Sequence, residues 1–239
     1  MSILVELNQV SVRYRSNKAG IFSIKDLITS WAHPFQTKEI LKDITFTLHK
    51  GESLGIVGRN GSGKSTLLRA IAGIIKPSKG RLNTYGSIAP ILALGAGLEA
   101  ELTGYENIHL LLSLYGRKIS PQAIEEIVQF SELDHQTLSQ ATKCYSSGML
   151  ARLTFSISFS HHCDIIIIDE VLAVGDLGFQ QKCLQKITDL KKEGCSIIFV
   201  SHFPDEVVKI CDKALLLEQG TLIFQGPSDI VCQQYKNLF

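Results

Sequence analysis

No stretch of this sequence approaches the roughly 18 consecutive apolar residues of a membrane-spanning helix. Its first ten residues, "MSILVELNQV", have no basic start running into a long apolar segment, so no secretory leader is read there. Charge of one sign is also missing: 24 Lys and Arg stand against 23 Asp and Glu. That balance argues against nucleic acid as the main partner. The six cysteines, at 144, 163, 183, 195, 211 and 232, include no Cys-x-x-Cys pair, and several sit in apolar runs. They read as buried free thiols of a reducing compartment. Internal repeats and low-complexity linkers are absent. These absences predict a chain soluble by itself, whose contact with a membrane needs a partner or a surface.

What is present alternates strand and helix. "ILVELNQVSVRY" and "ITFTLHKGESLGIVG" alternate like strands, and "LGIVG" runs through a glycine-rich turn into the helical "KSTLLRAIAGII". "GRLNTYGSIAPILALG" reads as strand and turn. From about Thr103 to Phe159 the pattern is mostly helical, with a capping box at Thr103 and Glu106 and a helix start at Ser120–Pro121. "DIIIID" suits a strand buried on both faces. "CSIIFVS" and "ALLLEQGTLIFQG" read as further strands. The class is α/β with an inserted helical subdomain.

Three motifs carry chemistry. "GRNGSGKST", Gly58 to Thr66, fits G-x-x-x-x-G-K-[ST] between a strand and a helix. Gly58, Asn60, Gly61, Ser62, Gly63 and Thr66 shape a loop of inward backbone N–H groups around phosphate. Lys64 adds positive charge at the β- and γ-phosphates, and the Ser65 hydroxyl suits Mg²⁺. In "DIIIIDE", Asp169 ends a buried strand, where its carboxylate suits the metal shell, and Glu170 follows as the candidate general base. His202 in "FVSHF" follows a strand and can reach a γ-phosphate; a surface histidine is the plainer alternative. A fourth stretch, "CYSSGMLARL", is a helix start with small residues at its tip, a second anion site.

Together these pieces resemble the nucleotide-binding domain of ABC transporters over essentially the whole chain. The resemblance implies a P-loop NTPase of ABC type: a mostly parallel core sheet, an antiparallel β subdomain and a helical subdomain at about 95–160, all within a single domain at 1–239. The family signature Leu-Ser-Gly-Gly-Gln stands here as Tyr145-Ser146-Ser147-Gly148-Met149. It implies a homodimer in which Ser146, Ser147 and Gly148 grip the γ-phosphate of ATP on the other copy. "AVGD", ending at Asp176, falls at the loop linking the two sites, and Tyr14 falls where the family stacks adenine, though it could simply close its strand. The family's glutamine near position 94 is missing, with Glu99 or Glu101 as substitutes for it.

The segments "GRNGSGKSTLL", "LGAGLEAELTGYENI", "YSSGMLARL" and "DEVLAVGDLGFQQKC" resemble the ATPases of bacterial polysaccharide exporters, for O-antigen with teichoic acid and capsule nearby. That implies ATP and Mg²⁺ as cofactors. It also implies two copies of a separate transmembrane permease, a lipid-linked glycan as cargo, and a peripheral place on the cytoplasmic side of the inner membrane. ABC ATPases for another cargo, or outside transport, are the alternatives. With its last residue at Phe239, soon after "SDIVCQQY", the sequence is expected to lack an added carbohydrate-binding domain. A segment at about 15–36 is extra to the minimal pattern. In it Ile21, Ile24, Leu27, Ile28 and Trp31 recur at helical spacing, either as a helix packed on its own domain or as one lying at the membrane boundary.

Overall fold

A computed structural model describes residues 2–16, 36–91, 97–160, 163–169, 176–201 and 203–238. Three strands form an antiparallel sheet in the order β2-β1-β4: β1 (Ile3–Ser16), β2 (Gln36–His49) and β4 (Lys79–Thr84). A six-stranded sheet has the order β5-β6-β7-β3-β8-β9. Its strands are β3 (Ser53–Val57), β5 (Ile88–Ile91), β6 (Ile165–Ile168), β7 (Ser196–Val200), β8 (Lys213–Glu218) and β9 (Thr221–Pro227). Pairing is parallel from β5 to β8 and antiparallel only between β8 and β9.

The four isoleucines of β6 show what an inner strand of this sheet requires. Ile165 and Ile167 join the core shared with the antiparallel sheet, and Ile166 and Ile168 join the core under the helices on the opposite face. Strand side chains alternate, so a strand covered on both faces favours apolar residues at every position; the buried exceptions Ser53 and Ser196 are held by hydrogen bonds to Asp212 and the His49 carbonyl. The first core also holds Leu67, Leu68 and Ile71 of α1 (Lys64–Ile71). The second is closed by α6 (Leu177–Lys192), α7 (Pro204–Ile210) and α8 (Ser228–Leu238) through Phe179, Val207 and Val231.

Between β5 and β6 the chain forms α2 (Gly104–Leu114), α3 (Pro121–Ser131), α4 (His135–Leu138), a 3₁₀ turn at Thr142–Cys144, and α5 (Ser147–Phe159). These elements have a core of their own, including Ile108, Leu112, Ile127, Leu138, Tyr145 and Leu153. The capping box is present: the Thr103 side chain accepts from the Glu106 N–H, and the Glu106 side chain accepts from Thr103 N–H. Ser120 caps α3 ahead of Pro121. Cys183, Cys195, Cys211 and Cys232 are buried as free thiols.

Pairing of β1 with β2 continues to Ser16 opposite Gln36. The ends of the segment read as an insertion are therefore a two-stranded ribbon, and its apolar positions from Ile21 to Trp31 lie outside the described residues. No helix among the described residues is long and apolar enough to cross a membrane.

Candidate functional site

The site stands at the C-terminal edge of the parallel strands, where open α/β sheets bind ligands. Register runs Ile168, Phe199, Gly55 across three adjoining strands, so Asp169 stands level with Val200 and Ile56. The loop after β3, the carboxylate after β6 and the turn after β7 thus leave the sheet at one level.

The loop after β3 needs its glycines. Gly61 and Gly63 hold φ of 78° and 108°, in the left-handed region. A Cβ on Gly58 would stand 2.2 Å from the Leu217 carbonyl oxygen. Gly63 is the N-cap of α1, and no side chain caps the first turn from that position, the arrangement of a helix start that takes an anion. The Ser62 hydroxyl is buried and finds no hydrogen-bond partner among the described residues. Lys64 is 5% exposed, and its ammonium donates to the Gly58 carbonyl at 2.7 Å and the Arg59 carbonyl at 3.1 Å. The lysine thus folds back over the loop it belongs to, holding positive charge at the centre of the cradle. Asn60 and Ser65 are exposed, and Thr66 is half-buried.

Asp169 is half-buried, and its N–H donates to the Ile91 carbonyl at 3.0 Å, which ties it to β5. Ser65 and Asp169 are hard oxygen donors of the kind Mg²⁺ takes. After β7, Ser201 accepts from the Phe203 N–H at 3.0 Å and donates to Glu206 at 2.7 Å. These bonds tie down the residues on both sides of position 202. Glu170 and His202 themselves lie outside the described residues, as do Ala173 to Gly175 and the stretch around position 94. Tyr14 is exposed near the end of β1, opposite Lys38 of β2.

The helix tip predicted as a second anion site is a different construction. Ser146 caps α5, its hydroxyl oxygen accepting from the Met149 N–H at 3.2 Å. The hydroxyl proton is not used by that cap. Ser146 and Ser147 are exposed, and a Cβ on Gly148 would meet nothing nearer than Ser146 Oγ at 3.9 Å. The fold itself therefore does not demand glycine at 148. The tip is anchored by Tyr145, whose hydroxyl donates to the Thr137 carbonyl at 2.8 Å; burial pushes its pKa to about 12. This tip belongs to the helical core, whereas the cradle after β3 belongs to the core shared by the two sheets.

Sequence reading passed over Arg152, one turn into α5. It pairs with Glu132, which ends α3, and with Asp176, which caps α6 by accepting from the Phe179 N–H at 3.0 Å. Its guanidinium carbon lies 4.6 Å from the centre of the Phe179 ring. The Phe179 N–H, then Arg152, hold the Asp176 carboxyl below its usual range. The only sequence signal was an arginine on a helix otherwise short of charge. Glu101, read as a substitute for the missing glutamine, pairs with Lys143 at 2.6 Å.

A phosphate cradle on β3, a carboxylate closing β6, and a second helix tip in a separate helical lobe define a nucleotide-hydrolysing cassette. The ABC transporter family model matches residues 41–173, and the chain belongs to that family as an ABC transporter ATPase. It is 47% identical over 223 residues to the O-antigen export system ATP-binding protein RfbB of Klebsiella pneumoniae, covering 89% of each chain. It is 40% identical over 238 residues to the teichoic acids export ATP-binding protein TagH of Staphylococcus saprophyticus, covering 99% of this chain and 89% of that one. A solved ATP binding subunit of an ABC transporter superposes with a TM-score of 0.77 at 23% identity, covering 98% of this chain and 93% of that one. The dimeric post-hydrolysis ATP-binding cassette MJ0796 bound to ADP and Pi has a TM-score of 0.77 at 20% identity, covering 94% of this chain and 99% of that one.

Proposed function

We propose that this chain is the ATP-binding subunit of a bacterial exporter of lipid-linked polysaccharide, with O-antigen as the cargo. The observation that carries the reading is the 47% identity to RfbB across 89% of each chain, against 40% to TagH. In this reading two copies face each other beneath two permease subunits, on the cytoplasmic side of the inner membrane. Each ATP lies between one copy's residues 58–66 and the other copy's Ser146–Gly148. Lys64 holds the β- and γ-phosphates, and Tyr14 stacks on adenine. Glu170 takes the proton of the attacking water, and His202 meets the γ-phosphate. Ser65 and Asp169 would hold Mg²⁺, which when bound neutralises charge on the phosphates. Asp176, clamped by Arg152, ties each signature helix to the loop between the two sites.

The test is purification with the native membrane partners, followed by chemical analysis of the associated glycan. A lipid-linked O-polysaccharide is expected. A polyol-phosphate polymer would move the cargo to teichoic acid. A complex that carries a small solute and no glycan would overturn the reading.

A further inference from the structure

We propose that Asn107 is a positioning residue for ATP hydrolysis, locking the signature tip to the loop that leaves β5. This rests on the reading that the tip acts on ATP held by a second copy. Asn107 is fully buried on α2, yet its side-chain hydrogen bonds reach residues before the helix and Thr142 after it. Its Oδ1 accepts from the Glu99 N–H at 2.7 Å, which fixes the amide's orientation. Its Nδ2 then faces the carbonyls of Glu99, Leu102 and Thr103 at 3.0, 3.1 and 3.0 Å, and the Thr142 hydroxyl at 3.3 Å. Thr142 in turn donates to the Glu99 carbonyl at 3.0 Å.

Around this centre two distant segments are laced together. The Thr142 N–H donates to the Leu102 carbonyl at 2.9 Å, the Lys143 N–H to Ala100 at 2.9 Å, and the Gly104 N–H to Gln140 at 3.3 Å. Thr103 bridges Ala141, and Lys143 pairs with Glu101 outside. The 3₁₀ turn at Thr142–Cys144 closes with the Tyr145 N–H donating to the Thr142 carbonyl at 3.0 Å. The next residue is Ser146, the cap of α5. No slack separates the laced segment from the tip. A displacement of residues 99–103 therefore displaces Ser146–Gly148 as one body, and a buried amide whose two N–H donors are shared among four oxygens is costly to leave half-satisfied.

The test uses Thr142→Val, which keeps shape and removes the hydroxyl between Asn107 and Glu99, and Asn107→Asp, which keeps the acceptor and removes the donors. Thermal midpoint, ATP affinity, and ATPase turnover are measured for each. Every variant is then mixed with a Lys64→Ala chain that supplies an intact signature, beside a control mixture of Lys64→Ala with Gly148→Asp. Thr142→Val should lower turnover about fivefold to tenfold at unchanged ATP affinity. Its mixture with Lys64→Ala should exceed both parents, because the intact phosphate loop then meets an intact tip. Normal turnover in Thr142→Val overturns the proposal. So does a loss that Lys64→Ala cannot rescue while it does rescue Gly148→Asp, for the damage is then within the variant's own chain. If Lys64→Ala rescues neither, with mixed dimers shown to form, the two-copy reading fails and takes the proposal with it.

Discussion

Gly104→Ala should destabilise the helical lobe, although alanine is the better helix former. Gly104 opens α2, where the exchange on a free helix would gain up to about 1 kcal/mol. Here an added Cβ would stand 2.4 Å from the Tyr145 hydroxyl oxygen, 2.8 Å from Leu138 Cδ2 and 3.1 Å from Leu138 Cα. The hydroxyl is not free to swing aside. It donates to the Thr137 carbonyl at 2.8 Å, and the ring is only 7% exposed. Relief means losing that bond, about 1 kcal/mol, or shifting packed side chains at about 1–3 kcal/mol. Either exceeds the helical gain, so a net loss of about 1–2 kcal/mol is expected. Tyr145→Phe alone should cost about 1 kcal/mol for the lost bond. The double variant should be at least about 1 kcal/mol more stable than the two losses summed, since the oxygen in the way is gone. Urea unfolding of the four proteins measures this. A Gly104→Ala protein as stable as the wild type, or strict additivity, would refute the reasoning.

Glu170→Gln should keep ATP binding while turnover falls roughly 10²–10⁴-fold, read by nucleotide binding and phosphate release on one preparation; near-normal turnover would remove Glu170 as the base. Ser201→Ala removes the bonds to Phe203 and Glu206 beside position 202 and should reduce turnover several-fold at constant ATP affinity. An unchanged rate would show that these bonds do not matter for hydrolysis. Hydrogen bonds from Arg152, then Lys182, hold the Glu132 carboxyl below its usual range. A depressed carboxyl adds stability above its unfolded value, and the gain is lost as pH falls below the ordinary 4.5. Melting curves of wild type and Glu132→Gln should therefore differ near neutrality and converge in acid; parallel curves would contradict the pairing.

The phosphate loop was legible because its backbone demands residue types that no side chain replaces: glycine for left-handed φ, and one lysine to cross the loop. The buried strands were legible because covering both faces leaves isoleucine at every position of β6. Helix starts showed through capping residues three positions apart. What stayed hidden depends on partners far away in sequence. Asn107 and Thr142 are 35 residues apart, and nothing local marks either as half of a pair. Tyr145 looked like a departure from the family's leucine. The structure supplies its reason in Gly104, the one residue small enough to lie beneath its hydroxyl. Arg152 gave no periodic signal either, because its carboxylates arrive from α3 and the start of α6.

The central claim is that the cradle after β3 and the tip at Ser146–Gly148 serve the same ATP from two copies of the chain. In this reading Lys64→Ala disables the cradle, and Gly148→Asp sets a carboxylate against the γ-phosphate at a position where an added Cβ meets nothing nearer than 3.9 Å. Each parent should be nearly inactive. A mixture in equal parts restores one intact site in each mixed dimer, which is up to about a quarter of the wild-type sites. The account predicts ATPase activity rising toward that level, with a maximum at equal mixing. Activity that never exceeds the better parent, in mixtures shown to contain mixed dimers, would contradict it.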